Sequence, residues 1–376
     1  LIRDSQVDTS TTSRYCYGGG AYMSGGTISG CEITGCQAGS AAKTALGNAL
    51  YISSGTVTNC DIHANNGGYT STSSAASASA VVYLKSGFLL NSKIHDNNKD
   101  GVPGVYQAGG TMAHCLIYRN IGKKYGGGLY KSDGNTYYCT IWGNEIAGDT
   151  TGISGLYQWS ANSGTTKNCI LVGNGPASSS GGSVSITAGT LQYNVVDKDI
   201  AEVSSKTRQV NNNTNNSDVK FADAANGDFT ITSSMSPACG RATPLADYPV
   251  DFVGVARDAE APTAGAYEYV QKTGVFEVDF AFDRPDHVYG EEVTAVASLT
   301  GAETNEVTFA WFVDGAVVEG ATNSVLTLTP GLGYHTVKVA ATKTVGGAPA
   351  EKEYPNALDI RQPTCYVNET GSGTYP

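Results

Sequence analysis

Charge is scarce in this 376-residue chain: Asp, Glu, Lys and Arg together make up only 15% of it. What there is leans acidic, with 34 acidic against 23 basic side chains and a net charge of −11. A nucleic acid or an anionic membrane surface needs a basic patch, so neither is expected as a partner. No stretch approaches the roughly 18 consecutive apolar residues that span a bilayer as a helix. Helical periodicity is missing as well, since no run places apolar residues at 3.6 spacing over the length of a helix. The nine cysteines contain no Cys-x-x-Cys pair, which removes the usual zinc signature. No signal peptide is visible. The chain opens Leu1-Ile2-Arg3-Asp4-Ser5, which matches the Leu116-Ile117-Tyr118-Arg119-Asn120 of a repeat already half finished. The natural N-terminus, with any targeting signal, is therefore expected upstream of Leu1.

What is present is a repeat. Gly47-Asn48-Ala49-Leu50-Tyr51 leads through Ser and Gly to Thr56-Val57-Thr58-Asn59-Cys60-Asp61-Ile62-His63, and the same design recurs along the chain. Its anchor position falls on Cys31, Cys60, Ser92, Cys115, Cys139, Cys169 and, in a decayed copy, Asn194. Self-similarity at this period means a solenoid. Each copy holds short alternating runs with β-branched residues in the apolar slots, and the 47 glycines suit many tight turns. Alternation fixes the faces: in Cys60-Asp61-Ile62-His63 the Cys and Ile point inward, the Asp and His outward. Stacking Cys on Cys and Ile on Ile predicts an all-β fold, a right-handed parallel β-helix.

The repeats fill residues 1–200, with the longest insertions at 67–80 and 145–163. Five cysteines share the inward column and are expected as buried free thiols acting as small apolar fillers. Cys16, Cys36, Cys239 and Cys365 lie off it. Asn65, Asn97, Asn120, Asn144 and Asn174 mark a repeated bend, where an asparagine column can tie neighbouring coils together. Residues 201–271 lose the repeat and read as a closing segment for the open end of the stack. Residues 272–362 carry longer strands, a mid-domain Trp311 and the hairpin signal Asp314-Gly315, the pattern of an immunoglobulin-like or PKD-like β-sandwich. Residues 363–376 form a tail resembling the start of a further module.

Two outward stripes are candidates for chemistry. Beside the anchor column, Glu32 and Asp61 are expected as stacked neighbours about 5 Å apart, the separation of a retaining glycosidase pair, with His63, His95 and Lys93 next to them. The catalytic reading is acid/base cleavage of a polysaccharide by Glu32, Asp61, His63 and His95. The alternative is a solvated strand face. The second stripe is aromatic. Tyr22, Tyr51, Tyr83, Tyr106, Tyr130 and Tyr157 each follow an apolar residue, so they should form an outward column. With Tyr118 and Trp142, the rings of Tyr51, Tyr83, Tyr106 and Tyr130 offer flat faces to sugars, unless the tyrosines simply stack on one another. No metal site or cofactor is assigned. Calcium would have to use a loop such as Asp96-Asn97-Asn98-Lys99-Asp100, where Lys99 and the lack of a repeated Asp pattern count against it.

Taken together, the Gly-Gly-Gly-x-Tyr and Cys-x-Ile-x-x-Asn repeats and the closing Asp251-x-x-Gly254-x-x-Arg257…Gly265-Ala266-Tyr267-Glu268 resemble the pectin-lyase-like β-helix surface proteins of Bacteroidetes. The repeats are also similar to those of polymorphic outer-membrane proteins. The resemblance covers roughly residues 1–270 and implies the fold and an exported, cell-surface location. The Asp-Asp, Gly-His-Gly and Arg-x-Lys signatures of polygalacturonase relatives are absent, as are the clustered acidic calcium ligands of pectate lyases. The expected function is a non-catalytic, monomeric surface protein that presents an elongated face to glycans or another macromolecule. The alternative is a polysaccharide lyase or glycoside hydrolase acting on an acidic or plant or host polysaccharide.

Overall fold

The computed structural model describes residues 1–7, 15–38, 44–65, 80–99, 101–122, 126–147, 153–159, 164–175, 183–197, 208–211, 213–270, 276–284, 287–344 and 349–362. Residues 67–79, 148–152 and 160–163 of the two insertions, Asp100, Cys365 and the 363–376 tail lie outside these residues. The chain divides into two compact units, residues 1–269 and 270–376.

The first unit is a parallel β-helix. Its most regular face is a nine-stranded sheet built from the anchor repeats, among them Glu32–Thr34, Asp61–His63, Lys93–His95, Leu116–Tyr118, Thr140–Trp142 and Ile170–Val172. Every neighbouring pair is parallel and in register, so Ile33, Ile62, Ile94, Ile117, Ile141 and Leu171 form one fully buried column. Each coil adds two further strands. The Tyr strand stacks Leu50, Val82, Val105, Leu129 and Leu156 inward, and a middle strand stacks Val57, Leu89 and Met112. A parallel sheet closed into a solenoid leaves open edges only at its ends.

The anchor column does more than fill space. All eight described cysteines are free thiols. Several of them bridge coils: the backbone N–H of Cys115 donates to the Cys139 sulfur and that of Cys139 to the Cys169 sulfur, each at 3.4 Å. Each thiol donates in turn to a carbonyl two residues back, as Cys139 does to Tyr137 at 3.3 Å. Where the column is not cysteine, a polar side chain makes the same bond. Ser92 accepts from the Cys60 N–H at 3.1 Å and Asn194 from the Cys169 N–H at 2.8 Å. The apolar-filler expectation therefore needs correction: the position selects a small side chain that both accepts and donates, because the backbone there is buried. The asparagine column works likewise. Asn97, Asn120 and Asn144 each donate to the next Asn Oδ1 at 2.9 Å and to an inward Ile carbonyl of the preceding coil at 2.9–3.1 Å.

Left-handed corners flank each anchor strand. Asn59, Asn91, His114, Tyr138, Asn168 and Tyr193 precede it, and Asp4, Ala64, Asp96 and Arg119 follow it, all with φ between 44° and 56° except Asn168 at 61°. A bulky residue in this region costs roughly 1–2 kcal/mol, so glycine is the easy choice, as at Gly143 and Gly173. Four of the exceptions use their side chains to hold the closing segment. Asn91 donates to the Phe252 carbonyl at 3.2 Å, Tyr138 and Asn168 both donate to the Thr243 carbonyl at 2.9 and 2.8 Å, and Arg119 donates to the Ala225 carbonyl. The segment thus lies against the flank of the anchor sheet, where the end of the stack was expected. Phe229 and Ala266 cover Leu116 and Tyr118, while Ile231, Ala238 and Ala264 cover Ile170, Val172 and Val195. The physical reason is that these outward positions are apolar and need a lid.

Inside the segment, the closing motif is a buried ion pair. Arg257 donates to Glu268 at 3.1 Å and to the Thr263, Gly265 and Ala266 carbonyls at 2.9–3.1 Å, with its guanidinium 3.8 Å over the Tyr138 ring. Asp251 caps the same loop, accepting from Val253, Val255 and Glu268 N–H groups.

One layer of the interior is polar. In the Tyr strand the inward column runs Ile52, Leu84, Gln107, Lys131, Gln158 and Ile186. Gln107, Lys131 and Gln158 are fully buried and face Thr136 and Thr166, which donate to the two glutamine carbonyls. Lys131 Nζ donates to the Thr165 carbonyl at 2.6 Å and to the Thr166 hydroxyl at 3.0 Å. Burial draws its pKa down to about 7.

The second unit is a β-sandwich of a three-stranded and a five-stranded sheet around the fully buried Trp311, whose indole donates to the Asn323 carbonyl at 2.9 Å. Asp314 and Gly315, both with positive φ, join Val307–Val313 to Ala316–Val317 in the expected hairpin.

Two substitutions test this account. Arg257→Met strands the Glu268 carboxylate in a buried site and should cost about 3–5 kcal/mol in denaturant unfolding, with the double change Arg257→Met/Glu268→Gln recovering part of it. Lys131→Gln extends the glutamine column and should raise Tm. An unfolded Lys holds its proton up to about 10.5, the folded one only to about 7, so the burial penalty is complete below pH 7 and fades as pH climbs toward 10.5. The gain from Lys131→Gln should therefore be larger at pH 6 than at pH 9.

Candidate functional site

The closing segment divides the anchor sheet. Coils from Leu116 onward are covered, and the three before them, which carry Glu32, Asp61, His63, Lys93 and His95, keep an exposed or half-buried outer face. Glu32 and Asp61 are direct register partners, as are Asp61 and Lys93, and His63 and His95. The four residues expected as acid/base groups do come together on one strip.

Their bonds run along the stack and do not converge on a substrate position. Glu32 meets His63 Nε2 at 3.0 Å, and Asp61 meets His95 Nε2 at 2.7 Å, so each carboxylate leans onto the histidine of the next coil. His95 is held at both nitrogens, because Nδ1 lies 2.7 Å from Asp96. Asp96 in turn receives Nε and Nη2 of Arg119 at 2.8 and 2.6 Å. The rings stack as well: His63 on His95 at 5.1 Å and His95 on Tyr118 at 4.7 Å, all within 11° of parallel. The result is one relay, Asp61–His95–Asp96–Arg119, ending on the Ala225 carbonyl of the closing segment.

Electrostatics follow from these contacts. Burial pushes the Asp61 carboxyl up, but the His95 hydrogen bond, with the charges of His95, His63 and Lys93, outweighs it and holds the group below its ordinary 3.8. Burial likewise draws His95 down, and the bonds to Asp61 and Asp96 outweigh it, so its pKa stands above 6.5. The Arg119 bond holds Asp96 below 3.8. An imidazolium clamped between two carboxylates is a structural cation. A general base needs a nitrogen turned toward substrate.

The tyrosine column follows the stacking alternative, while Tyr118 and Trp142 depart from the sugar-platform expectation. Tyr22, Tyr51, Tyr83, Tyr106 and Tyr130 form a ring-on-ring column with centroids 4.9–5.2 Å apart and planes within 25°. Their faces cover one another, leaving Tyr51 only 6% and Tyr130 only 4% exposed. Tyr118, at 4% exposure, and Trp142 both sit edge-to-face with Phe229 under the closing segment, which corrects their reading as open sugar platforms. The signal was legible: Leu116, Ile170, Val172 and Val195 occupy the same outward stripe, and an apolar stripe means cover. Asp96 and Asn97 of the suggested calcium loop are engaged in the relay and the asparagine ladder. Among the described residues no group of three His, Cys, Asp or Glu side chains is placed to hold a metal ion.

These shifts predict a pH window. The His95 contribution is complete below 6.5 and is lost as pH rises through its elevated folded value. The Asp61 and Asp96 contributions are complete above 3.8 and are lost as pH falls through their depressed values. The Tm difference between wild type and His95→Asn, recorded from pH 3 to 9, should peak between these limits and shrink on both sides.

Comparison with known proteins agrees with the geometry as far as it reaches. A family model described as a right handed beta helix region matches residues 2–151. The chain matches no curated protein and no solved structure. The coils of the first unit thus form a right-handed parallel β-helix, and the second unit adds a β-sandwich.

Proposed function

We propose that this is a non-catalytic, exported surface protein whose β-helix presents an elongated face to glycans, with the C-terminal sandwich, immunoglobulin-like in character, serving as a spacer. The observation that carries the reading is the state of the acid/base groups. Asp61, His95 and Asp96 are locked in a relay that positions the closing segment, and Glu32 is bonded to His63. Chemistry spent on holding the fold is not available for cleaving a glycosidic bond. A pectin-lyase-like ancestry and a location on a Gram-negative cell surface fit the repeat and closing motifs, and the acidic balance fits neither nucleic acid nor anionic membrane. The protein acts as a monomer in this reading.

One observation favours a polysaccharide lyase or hydrolase instead: the Glu32–His63 pair stands at the exposed end of the strip, with side chains 51% and 27% accessible. The two readings separate in one plate. Wild type and Glu32→Gln/Asp61→Asn are incubated with a polysaccharide panel, scoring both retention and release of reducing or unsaturated ends. Retention without product, unchanged in the double variant, is the expected outcome. Product formed by wild type and abolished in the variant would establish an enzyme.

A further inference from the structure

The tyrosine column is the obvious place for a sugar to stack, yet it has few faces to give. A pyranose packs its C–H groups on an aromatic face, and between Tyr22 and Tyr130 each inner ring has both faces against its neighbours. Only ring edges and phenol tips of these inner rings reach solvent, and Tyr22, 56% exposed at the near end, meets Tyr17 at right angles, with ring centroids 6.2 Å apart. The column breaks at its far end, where Tyr157 tilts 44° from Tyr130. At that break stands Trp159, with 46% of its surface exposed and its ring 6.2 Å from Tyr130.

Trp159 is held by its backbone and leaves its side chain at the surface. Its N–H donates to the Lys131 carbonyl at 3.2 Å, and its carbonyl accepts from the Thr187 hydroxyl at 2.7 Å. The indole N–H has no partner among the described residues. Lys131 is the register partner of Gln158, so Ser132 and Asp133 follow it on the neighbouring coil, where the Ser132 hydroxyl accepts from the Tyr106 phenol at 3.3 Å and the Asp133 carboxylate from the Gly134 N–H at 2.7 Å. An exposed indole face with an unused donor has the make-up of a sugar-binding platform.

We infer that Trp159, rather than any member of the tyrosine column, is the residue on which the ligand's sugar ring stacks, and that the ligand is a neutral polysaccharide. This rests on the glycan-binding reading above. Neutrality follows from charge: the chain carries −11, so a polyanion would be repelled.

The test is affinity electrophoresis of wild type, Trp159→Ala, Trp159→Phe and Tyr83→Ala through gels cast with neutral polysaccharides or with polyuronates, with Tm measured for each variant. Trp159→Ala should weaken retention on the neutral gels by about tenfold or more at unchanged Tm, as loss of a central aromatic contact does. Trp159→Phe should restore part of it. Tyr83→Ala should lower Tm and leave retention within a factor of about two. Wild-type retention that survives Trp159→Ala overturns the assignment of Trp159 while the glycan reading stands. Retention on polyuronates alone overturns the neutral-ligand claim. Wild type retained by no gel removes the glycan reading itself, and this inference with it.

Discussion

At every corner of a parallel β-helix the backbone turns away from its ladder, and the N–H and C=O groups left there are buried between coils. Everything else in the first unit depends on giving those groups partners. An unpaired buried amide costs about 1–3 kcal/mol, and the coils stack many of them. Asn97, Asn120 and Asn144 resolve this by donating to an Ile carbonyl of the preceding coil while accepting from the N–H of that coil's own Asn. The Cys, Ser and Asn side chains of the anchor column do the same on the other side of the strand. The interchange of thiol, hydroxyl and carboxamide at one position makes sense only if hydrogen bonding, more than volume, is what the position requires.

The same logic reaches the surface. Corners that glycine would occupy at least strain carry Asn91, Tyr138, Asn168 and Arg119, and each of these holds the closing segment. Strain at the corner is exchanged for grip on a lid that covers the apolar half of the anchor sheet. The polar half stays open, and its titratable groups are coupled through Asp96 and Arg119 to the edge of that lid. A ligand contacting Asp61 or His95 would touch a relay that the fold uses.

Much of this was legible in the sequence. The anchor spacing specified the coil, its register and the inward Ile column, because period-two alternation allows only one way to bury Cys and Ile together. The Asn column was readable from its position after the strand. Asp314-Gly315 announced its hairpin through two residues that accept positive φ. The candidate cluster was readable as a neighbourhood, since register alone places Glu32 beside Asp61 and His63 beside His95. What register does not carry is the direction in which a side chain leans. Glu32 and Asp61 turn along the stack toward histidines, which no spacing reveals. The lid was missed for a different reason: Tyr118 and Trp142 look like sugar platforms in isolation, and only their company of Leu116, Ile170 and Val172 marks them as covered. Trp159 escaped notice because it lies outside the repeat, and the polar layer at Lys131 because inward positions were taken to be apolar.

The central claim is that the acid/base groups of the exposed strip serve the fold. Nitrogen NMR of the imidazoles in histidine-labelled protein tests it most directly, with His95 assigned by comparison with a His95→Asn variant. The account predicts that both His95 nitrogens remain protonated above pH 6.5, with the shifts of an imidazolium donating on each side. A His95 that titrates at or below 6.5, with one nitrogen bare at neutral pH, would contradict it and return the cluster to the list of working catalytic sites.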